Sequence, residues 1–219
     1  KYFAAQKLSM DLSPLRDPIL DLRYLLARGY RRATAIRVVG DGYRLGKRER
    51  NILLRAVFSR LEAGEHRRRR VGPEGAEEVV IDGYNVLITV EALLRGEAFL
   101  SDDGFVRDAT GIYGKYRRSR QTALALGEIL AFLKAHRSRL VRFFFDGQVS
   151  GSGELCALVR RMLREAGLSG DARTVKSADG ALLRNRSKIL TTSDSAVIEK
   201  AERVLDIPYH LAPPGTKLF

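Results

Sequence analysis

Four aspartates stand at or just after short apolar runs in the later two thirds of the chain. They lie in the segments VVIDGYN, RFFFDG, VKSADGALL and ILTTSDSAVI, as Asp82, Asp146, Asp179 and Asp194. Short apolar runs bounded by turn residues predict buried strands. Because the carboxyl ends of parallel strands meet at one edge of a sheet, where ligands bind, we expect the four carboxylates to lie together.

Carboxylates that converge in this way repel one another, and a divalent cation would resolve the repulsion. Mg²⁺ and Mn²⁺ prefer oxygen ligands, and they can support an in-line displacement at phosphorus. Asn85, three residues after Asp82, could orient the attacking water or a carboxylate. Thr192 and Ser193 could offer hydroxyl or amide groups to a phosphate. The sequence therefore predicts a metal site with Mg²⁺ or Mn²⁺ as its cofactor.

Helix capping is the alternative explanation for these acids. Asp82, Asp179 and Asp194 each precede a predicted helix closely enough to act as its N-cap. A single aspartate at a strand end is often only a cap or a turn former. The metal-site hypothesis depends on all four acids lying at the same edge of the sheet, where the carboxyl ends of the strands meet.

Two loops could contact phosphate. The segment SDDGFVRDATGIYGKYRRSRQT (101–122) alternates basic and aromatic residues, which suits a flexible single strand, although local Asp–Arg pairs would explain it equally. The turn VSGSGELC (149–156) precedes a helix and could hold phosphate, or it could simply cap the helix. The candidate phosphate-binding residues in these loops are Asp103, Arg107, Lys115, Arg117, Arg118, Ser150 and Ser152.

Alternating strands and helices are predicted to position these residues after residue 76, which favours a mostly parallel sheet covered on both faces. The predicted strands are 79–81, 140–145, 172–176, 189–192 and 209–211. The predicted helices are 86–95, 122–135, 154–166, 181–185 and 195–204.

The N-terminal third is predicted to be a basic helical domain, residues 1–66, with helices at about 18–30, 33–39 and 47–63 and a resemblance to a helix-turn-helix. Residues 1–70 hold 18 Lys/Arg against 7 Asp/Glu, whereas residues 71–219 hold 21 against 19. This placement of charge favours a polyanionic partner such as nucleic acid over an ordinary solvated surface. The run Arg67, Arg68, Arg69 and Arg70 opens a predicted linker, 67–76, that could rest on phosphates.

Composition excludes several other classes. A single cysteine, Cys156, rules out an internal disulfide framework and fits a reducing cytoplasm, and three scattered histidines make a zinc site improbable. No apolar run approaches the roughly 20 residues that would cross a bilayer, so no membrane partner is expected. The first residues, KYFAAQKLSM, lack the apolar stretch of a secretion signal.

The order IDGYN, FFFDG, KSADGALL, TTSDSAVI resembles the PIN-like superfamily, especially its NYN branch. The whole chain is similar to a largely archaeal family that joins a short helical domain to a PIN-like domain. The resemblance implies an α/β/α sandwich over residues 77–219, metal ligation by the four aspartates, and metal-dependent ribonuclease activity. It also marks the stretches 102–108 and 150–154 as signatures. Ala196 replaces the second acid of the usual S-D-x-D pattern, which favours one ion over two.

The expected function is therefore that of an Mg²⁺- or Mn²⁺-dependent endoribonuclease with RNA as its partner. Asp82, Asp146, Asp179, Asp194 and Asn85 would form the catalytic set, and the basic domain would bind the RNA backbone. Two alternatives stay open. One is an RNA-binding module that does not cut, and the other is a phosphohydrolase or phosphotransferase acting on a small phosphorylated substrate. The sequence also leaves open a homo-oligomer.

Overall fold

The structure is a computed structural model that describes residues 12–212, with helices first and alternating strands and helices after them. The helices are α1 (Arg16–Ala27), α2 (Arg32–Gly42), α3 (Lys47–Ala56), α4 (Arg60–Arg69), α5 (Gly83–Arg95), α6 (Arg120–Ala135), α7 (Ser152–Ala166), α8 (Ala178–Leu183), α9 (Ser195–Ile198) and α10 (Ile207–Leu211). The strands are β1 (Arg70–Val71), β2 (Glu78–Asp82), β3 (Ala98–Leu100), β4 (Val106–Asp108), β5 (Leu140–Asp146), β6 (Gly170–Val175), β7 (Ile189–Thr191) and β8 (Arg203–Leu205).

Six of these strands form one parallel sheet in the order β1-β8-β7-β2-β5-β6, while β3 and β4 form a separate antiparallel hairpin. The prediction of an α/β fold with a mostly parallel sheet and a helical N-terminal region is confirmed. Strand β2 lies at the centre, between β5 and β7. From β2 the chain builds the sheet outwards first through β5 and β6, and later, on the other side, through β7 and β8. Strand β1, which precedes β2 in the chain, pairs with β8 at that edge.

Alternate side chains of β2 explain how helices cover both faces of the sheet. Val79 and Ile81 belong to one core cluster with side chains of α5, α6 and α7, whereas Val80 belongs to another with side chains of α8 and α9. Cys156 is buried in the first cluster. Helices thus pack on both faces of the sheet, and this packing sets the positions of the residues that follow the strands.

The core of the helical region also includes side chains from the hairpin segment. Apolar side chains of α1, α2 and α3, such as Leu22 and Leu53, pack in one cluster with Phe99 and Ala109 from the hairpin segment. The predicted helix over 47–63 is wrong in its middle, because α3 ends at Ala56 and α4 starts after Ser59. Ser59 caps α4 by accepting a hydrogen bond from the Glu62 backbone amide at 3.2 Å, and this capping box marks a new helix.

Three further predictions of elements fail. The arginine run 67–70 is not a linker, since it completes α4 and begins β1. The predicted helix over 195–204 ends at Ile198, and residues 203–205 pair in the sheet as β8. The predicted strand at 209–211 is part of α10, which Asp206 caps. The predicted domain limits of 1–66 and 77–219 also include residues 1–11 and 213–219, which lie outside the described residues.

Across residues 12–212, no helix is long enough and apolar enough to cross a membrane.

Candidate active site

The strand order reverses at the centre of the sheet, because the strands that follow β2 in the chain are added first on its β5 side and then on its β7 side. Two of the predicted acids end the neighbouring strands β2 and β5 at this point. Asp82 is the last residue of β2 and Asp146 is the last residue of β5. Asp194 follows β7, and Asp179 follows β6 in the first turn of α8. All four line one cavity of about 510 Å³. A switch point of this kind is the usual ligand site of an open parallel sheet.

Asp82 is the most deeply buried of the four, with 3% of its surface exposed. Its Oδ1 accepts a hydrogen bond from the Asn85 amide at 3.2 Å, and its Oδ2 accepts one from Thr192 Oγ1 at 3.2 Å. Burial, together with the negative charges of Asp179 and Asp194, raises the pKa of Asp82 to about 7. The charged form of this carboxylate therefore lacks a positive partner.

The other three acids also line the cavity, and one of them, Asp194, caps a helix. Asp194 Oδ1 accepts hydrogen bonds from the amides of Ala196 and Val197, and Asp146 Oδ1 accepts one from the amide of Ala178. Asp179 does not cap α8, because Ser177 does so. Burial and the charges of Asp194 and Asp146 raise the pKa of Asp179. Capping thus accounts for single oxygens of Asp82, which caps α5, and of Asp194, which caps α9, and it leaves the mutual repulsion of the set unexplained.

The donor chemistry of the cavity fits a hard cation. Among the residues the structure describes, no three or more His, Cys, Asp or Glu side chains form a group that could hold a metal ion by themselves. Mg²⁺ commonly binds through one or two carboxylates while water or substrate oxygens fill its other positions. Carboxylates that line one cavity, with the pKa values of Asp82 and Asp179 raised, suit that mode of binding better than a closed protein cage. The metal-binding role of the four aspartates stays a prediction.

Asn85 lines the same cavity and also fixes the loop that carries Asp194. Its Oδ1 accepts hydrogen bonds from the Ser193 amide at 2.8 Å and from Ser193 Oγ at 3.0 Å. Thr192 Oγ1 donates to Asp82 and accepts from the Asp194 amide at 3.1 Å. Thr192 and Ser193 are buried, and these bonds use their hydroxyl groups within the protein. Thr192 and Ser193 therefore position the acids. Buried hydroxyl groups that already bond within the protein do not match the predicted contact with phosphate.

Cationic side chains that the sequence did not single out also line the cavity. Arg55 comes from α3, and Lys176 precedes α8. Arg55 Nη1 donates to Asp108 Oδ2 at 2.7 Å and to the Asp108 carbonyl oxygen at 2.9 Å. Although burial alone would raise the pKa of Asp108, Arg55 holds it below its usual range. No local signal pointed to Arg55, because it and Asp108 are far apart in the chain.

Arg107 and Asp103 were predicted to contact phosphate, but the structure buries both, with 2% and 0% of their surfaces exposed. Arg107 Nη1 and Nη2 donate to the two Asp103 oxygens at 2.6 and 2.8 Å. Asp103 Oδ2 also accepts a hydrogen bond from His66 Nδ1 at 2.7 Å, and Arg107 Nε donates to the Ser193 carbonyl oxygen at 3.0 Å. The Arg107–Asp103 pair therefore supports the loop that carries Asp194 through the hydrogen bond to Ser193.

The arginine run mainly ties α4 to the rest of the chain. Arg67 donates to the Asp102 carbonyl oxygen, Arg69 donates to that of Ala201, and Arg70 donates to that of Gly104. Arg68 pairs with a glutamate of its own helix. Arg69 and Arg70 are half-buried, whereas Arg67 and Arg68 are exposed, and the contact of the run with RNA phosphates stays a prediction.

The remaining candidates lie away from the acids. Lys115, Arg117 and Arg118 are exposed and Arg118 pairs with Glu154, while none of the three is among the described residues that line the acidic cavity. The same is true of the exposed Ser150 and the buried Ser152. The structure therefore assigns these five residues no contact with the candidate site.

The comparisons with known proteins give the chain its family. The family described as a domain of unknown function, DUF5616, matches residues 74–210, and the family described as a protein of unknown function, DUF434, matches residues 14–70. The chain belongs to DUF5616. It is also 31% identical over 192 residues to an uncharacterized protein of Methanocaldococcus jannaschii, and the match covers 85% of this chain and 91% of that protein. No solved structure matches.

Both matches bear on the cavity. The DUF5616 segment supplies the four aspartates and Asn85, and the DUF434 segment supplies Arg55 and Asn51. Because the two segments line one cavity and share packed side chains, experiments on the site require the full chain.

Gly83 gives a first test of how tightly the Asp82 strand end is packed. A Cβ at position 83 would lie 2.3 Å from Cε1 of the buried Phe145 ring. We expect Gly83→Ala to lower the free energy of unfolding by about 1–3 kcal/mol, because overpacking shifts the ring. Gly127→Ala in α6 is the matched control, since a Cβ there meets no atom within 4 Å. Urea unfolding that shows equal stability for Gly83→Ala and the parent would contradict this account.

Proposed function

We propose that this protein is a metal-dependent endoribonuclease built on a PIN-like α/β domain. One observation carries the proposal: Asp82, Asp146, Asp179 and Asp194 come from separate parts of the chain and line one cavity at the switch point of the sheet. An acidic cavity of this kind is unfavourable without a counter-charge. Mg²⁺ or Mn²⁺ is the counter-ion that its oxygen ligands favour.

The residues of the cavity divide into three roles. The four aspartates would hold the cation directly or through water. A cation in this position activates water and offsets the charge that develops on a phosphodiester as it is displaced. Asn85 is anchored through its Oδ1, so its Nδ2 group can donate a hydrogen bond to a substrate or water oxygen. Lys176, which is exposed, provides positive charge for phosphate oxygens, whereas the charge of Arg55 is already paired with Asp108.

Charge placement supports RNA as the substrate. The N-terminal region carries most of the net positive charge, and its helix α3 contributes Arg55 to the cavity wall. A strand held by that region would therefore lead directly to the acids. Sequence-independent attraction of this kind comes mainly from phosphates and weakens with salt.

Cleavage of a labelled single-stranded RNA tests the proposal. We expect cleavage with Mg²⁺ or Mn²⁺ and none with a chelator. We also expect Asp194→Asn to lower the rate by about 100-fold or more, since removing even an outer-shell partner of a metal costs 10–100-fold. Asparagine still caps α9, so this variant should fold. The matched control is Asp17→Asn, an exposed aspartate of α1 that should cut like the parent.

Two outcomes would contradict the proposal. Tight RNA binding without cleavage under any divalent ion would favour a binding module. Hydrolysis of small phosphate esters that short RNA does not inhibit would favour a phosphohydrolase.

A further inference from the structure

A second cavity, of about 480 Å³, lies between the helical region and the turn of the β3–β4 hairpin. Three arginines line it, Arg23 from α1 and Arg60 and Arg67 from α4, together with Tyr24 and Phe58. A single acid, Asp102, is also part of the lining. The cavity therefore combines an excess of positive charge with aromatic surface.

The hydrogen bonds show which of these charges remain available. Arg23 Nε donates to Asp102 Oδ2 at 3.0 Å, and its Nη2 donates to Oδ1, so this pair is neutral overall. Arg67 is held by one bond from Nη1 to the Asp102 carbonyl oxygen at 2.6 Å. Arg60 is exposed and has no hydrogen-bond or ion-pair partner within residues 12–212. Arg60 and Arg67 thus present uncompensated positive charge.

The aromatic side chains of this cavity differ in their availability. Phe58 is 6% exposed, with the guanidinium groups of Arg32 and Arg107 at 4.6 and 4.9 Å from its ring centroid. Tyr24 is 59% exposed. The guanidinium of Arg28 lies over its ring at 5.1 Å. An exposed aromatic ring beside free arginines is the arrangement that holds an unpaired nucleotide, with stacking for the base and charge for the phosphate.

We propose that this second cavity binds one nucleotide of single-stranded RNA, with its base on Tyr24 and its phosphate on Arg60 and Arg67. The hairpin connects it to the acidic cavity, since Asp102 lines the one and Asp108 lines the other. The site would hold the substrate strand at a distance from the acids. This inference rests on the proposed function for its choice of RNA, and it concerns binding only.

The test measures binding of a short fluorescent oligoadenylate to the full chain by anisotropy, in a chelator so that no cleavage occurs. We expect Tyr24→Ala to raise the Kd by about tenfold, and Tyr24→Phe to bind like the parent, because stacking needs only the ring. We expect Arg60→Ala to reduce the slope of log K against log salt by about 0.7, the value for one lost phosphate contact on a single strand.

Exposed residues of the same region outside both cavities provide matched controls. Tyr30→Ala and Arg48→Ala should leave affinity and salt slope at the parent values. If Tyr24→Ala and Arg60→Ala bind like these controls, the inference is overturned even where the parent cuts RNA. If they lose binding as expected while the parent cuts nothing, the inference holds and the proposed nuclease function fails.

Discussion

Asp82→Asn is expected to abolish RNA cleavage and at the same time to make the metal-free protein more stable. We expect the cleavage rate to fall by about 100-fold or more, because Asp82 lies at the centre of the acidic cavity and removal even of a metal's outer-shell partner costs 10–100-fold. Asparagine keeps the shape of the side chain and an oxygen that can accept from the Asn85 amide. Loss of activity with gain of stability is the opposite of what a purely structural aspartate would show.

The stability gain follows from the raised pKa of Asp82. Its pKa is about 7 in the folded protein, against about 4 in the unfolded chain. Between these values the folded state binds more protons than the unfolded state, so the parent loses stability as the pH rises from about 4 to about 7. Three pKa units correspond to roughly 4 kcal/mol. The variant carries no charge at this position and avoids that loss.

Thermal unfolding in a chelator, from pH 4 to pH 8, measures the effect. Parent and variant should unfold together near pH 4, and the variant should melt about 10 °C higher at pH 8. Added Mn²⁺ should raise the melting temperature of the parent and have less effect on the variant. Asp17→Asn, on the exposed surface of α1, is the control and should follow the parent at every pH. An Asp82→Asn protein that cuts RNA normally, or that is less stable at pH 8, would contradict the acidic-site account.

The sequence was sufficient to locate the acids because their positions depend on strands that are short, apolar and bounded by turns. The cores of β2, β5 and β7 follow from runs such as VVI and RFFF, and parallel pairing brings the ends of such strands to one edge. The role of Asn85 was harder to predict. Its position three residues after Asp82 suggested that it orients the attacking water or a carboxylate, but the structure also uses it to fix the loop at Ser193.

Other predictions from the sequence were wrong because they depended on contacts between residues that are far apart in the chain. Arg107 and Asp103 are four residues apart, and a polar loop with local pairs was one of the alternatives considered. Only the folded chain shows that His66 and Ser193 close around them and exclude water.

The splitting of the 47–63 helix had a local signal, the capping box at Ser59 and Glu62. So did the start of α10, where Asp206 precedes Ile-Pro.

The largest loss of stability is expected from Asp103→Ala. Arg107 is 2% exposed, and Asp103 is its charged partner. Burial alone would raise the pKa of Asp103, but Arg107 and His66 hold it well below its usual range. Removing one partner of a buried ion pair leaves the other charge unpaired, at a cost of about 3–5 kcal/mol. Glu77→Ala is the matched control, because its pair with Arg139 is exposed and is worth about 1 kcal/mol or less.

Replacing both partners separates stability from positioning. The double variant Asp103→Leu with Arg107→Met removes both charges, so urea unfolding should show it to be more stable than Asp103→Ala. In the double variant, however, the Ser193 carbonyl oxygen no longer accepts a hydrogen bond from Arg107. The loop that carries Asp194 is therefore held by one bond fewer. We therefore expect RNA cleavage to stay low in the double variant although much of the stability returns. Cleavage that recovers in proportion to stability would show that Arg107 acts only through the fold, and that it does not position Asp194.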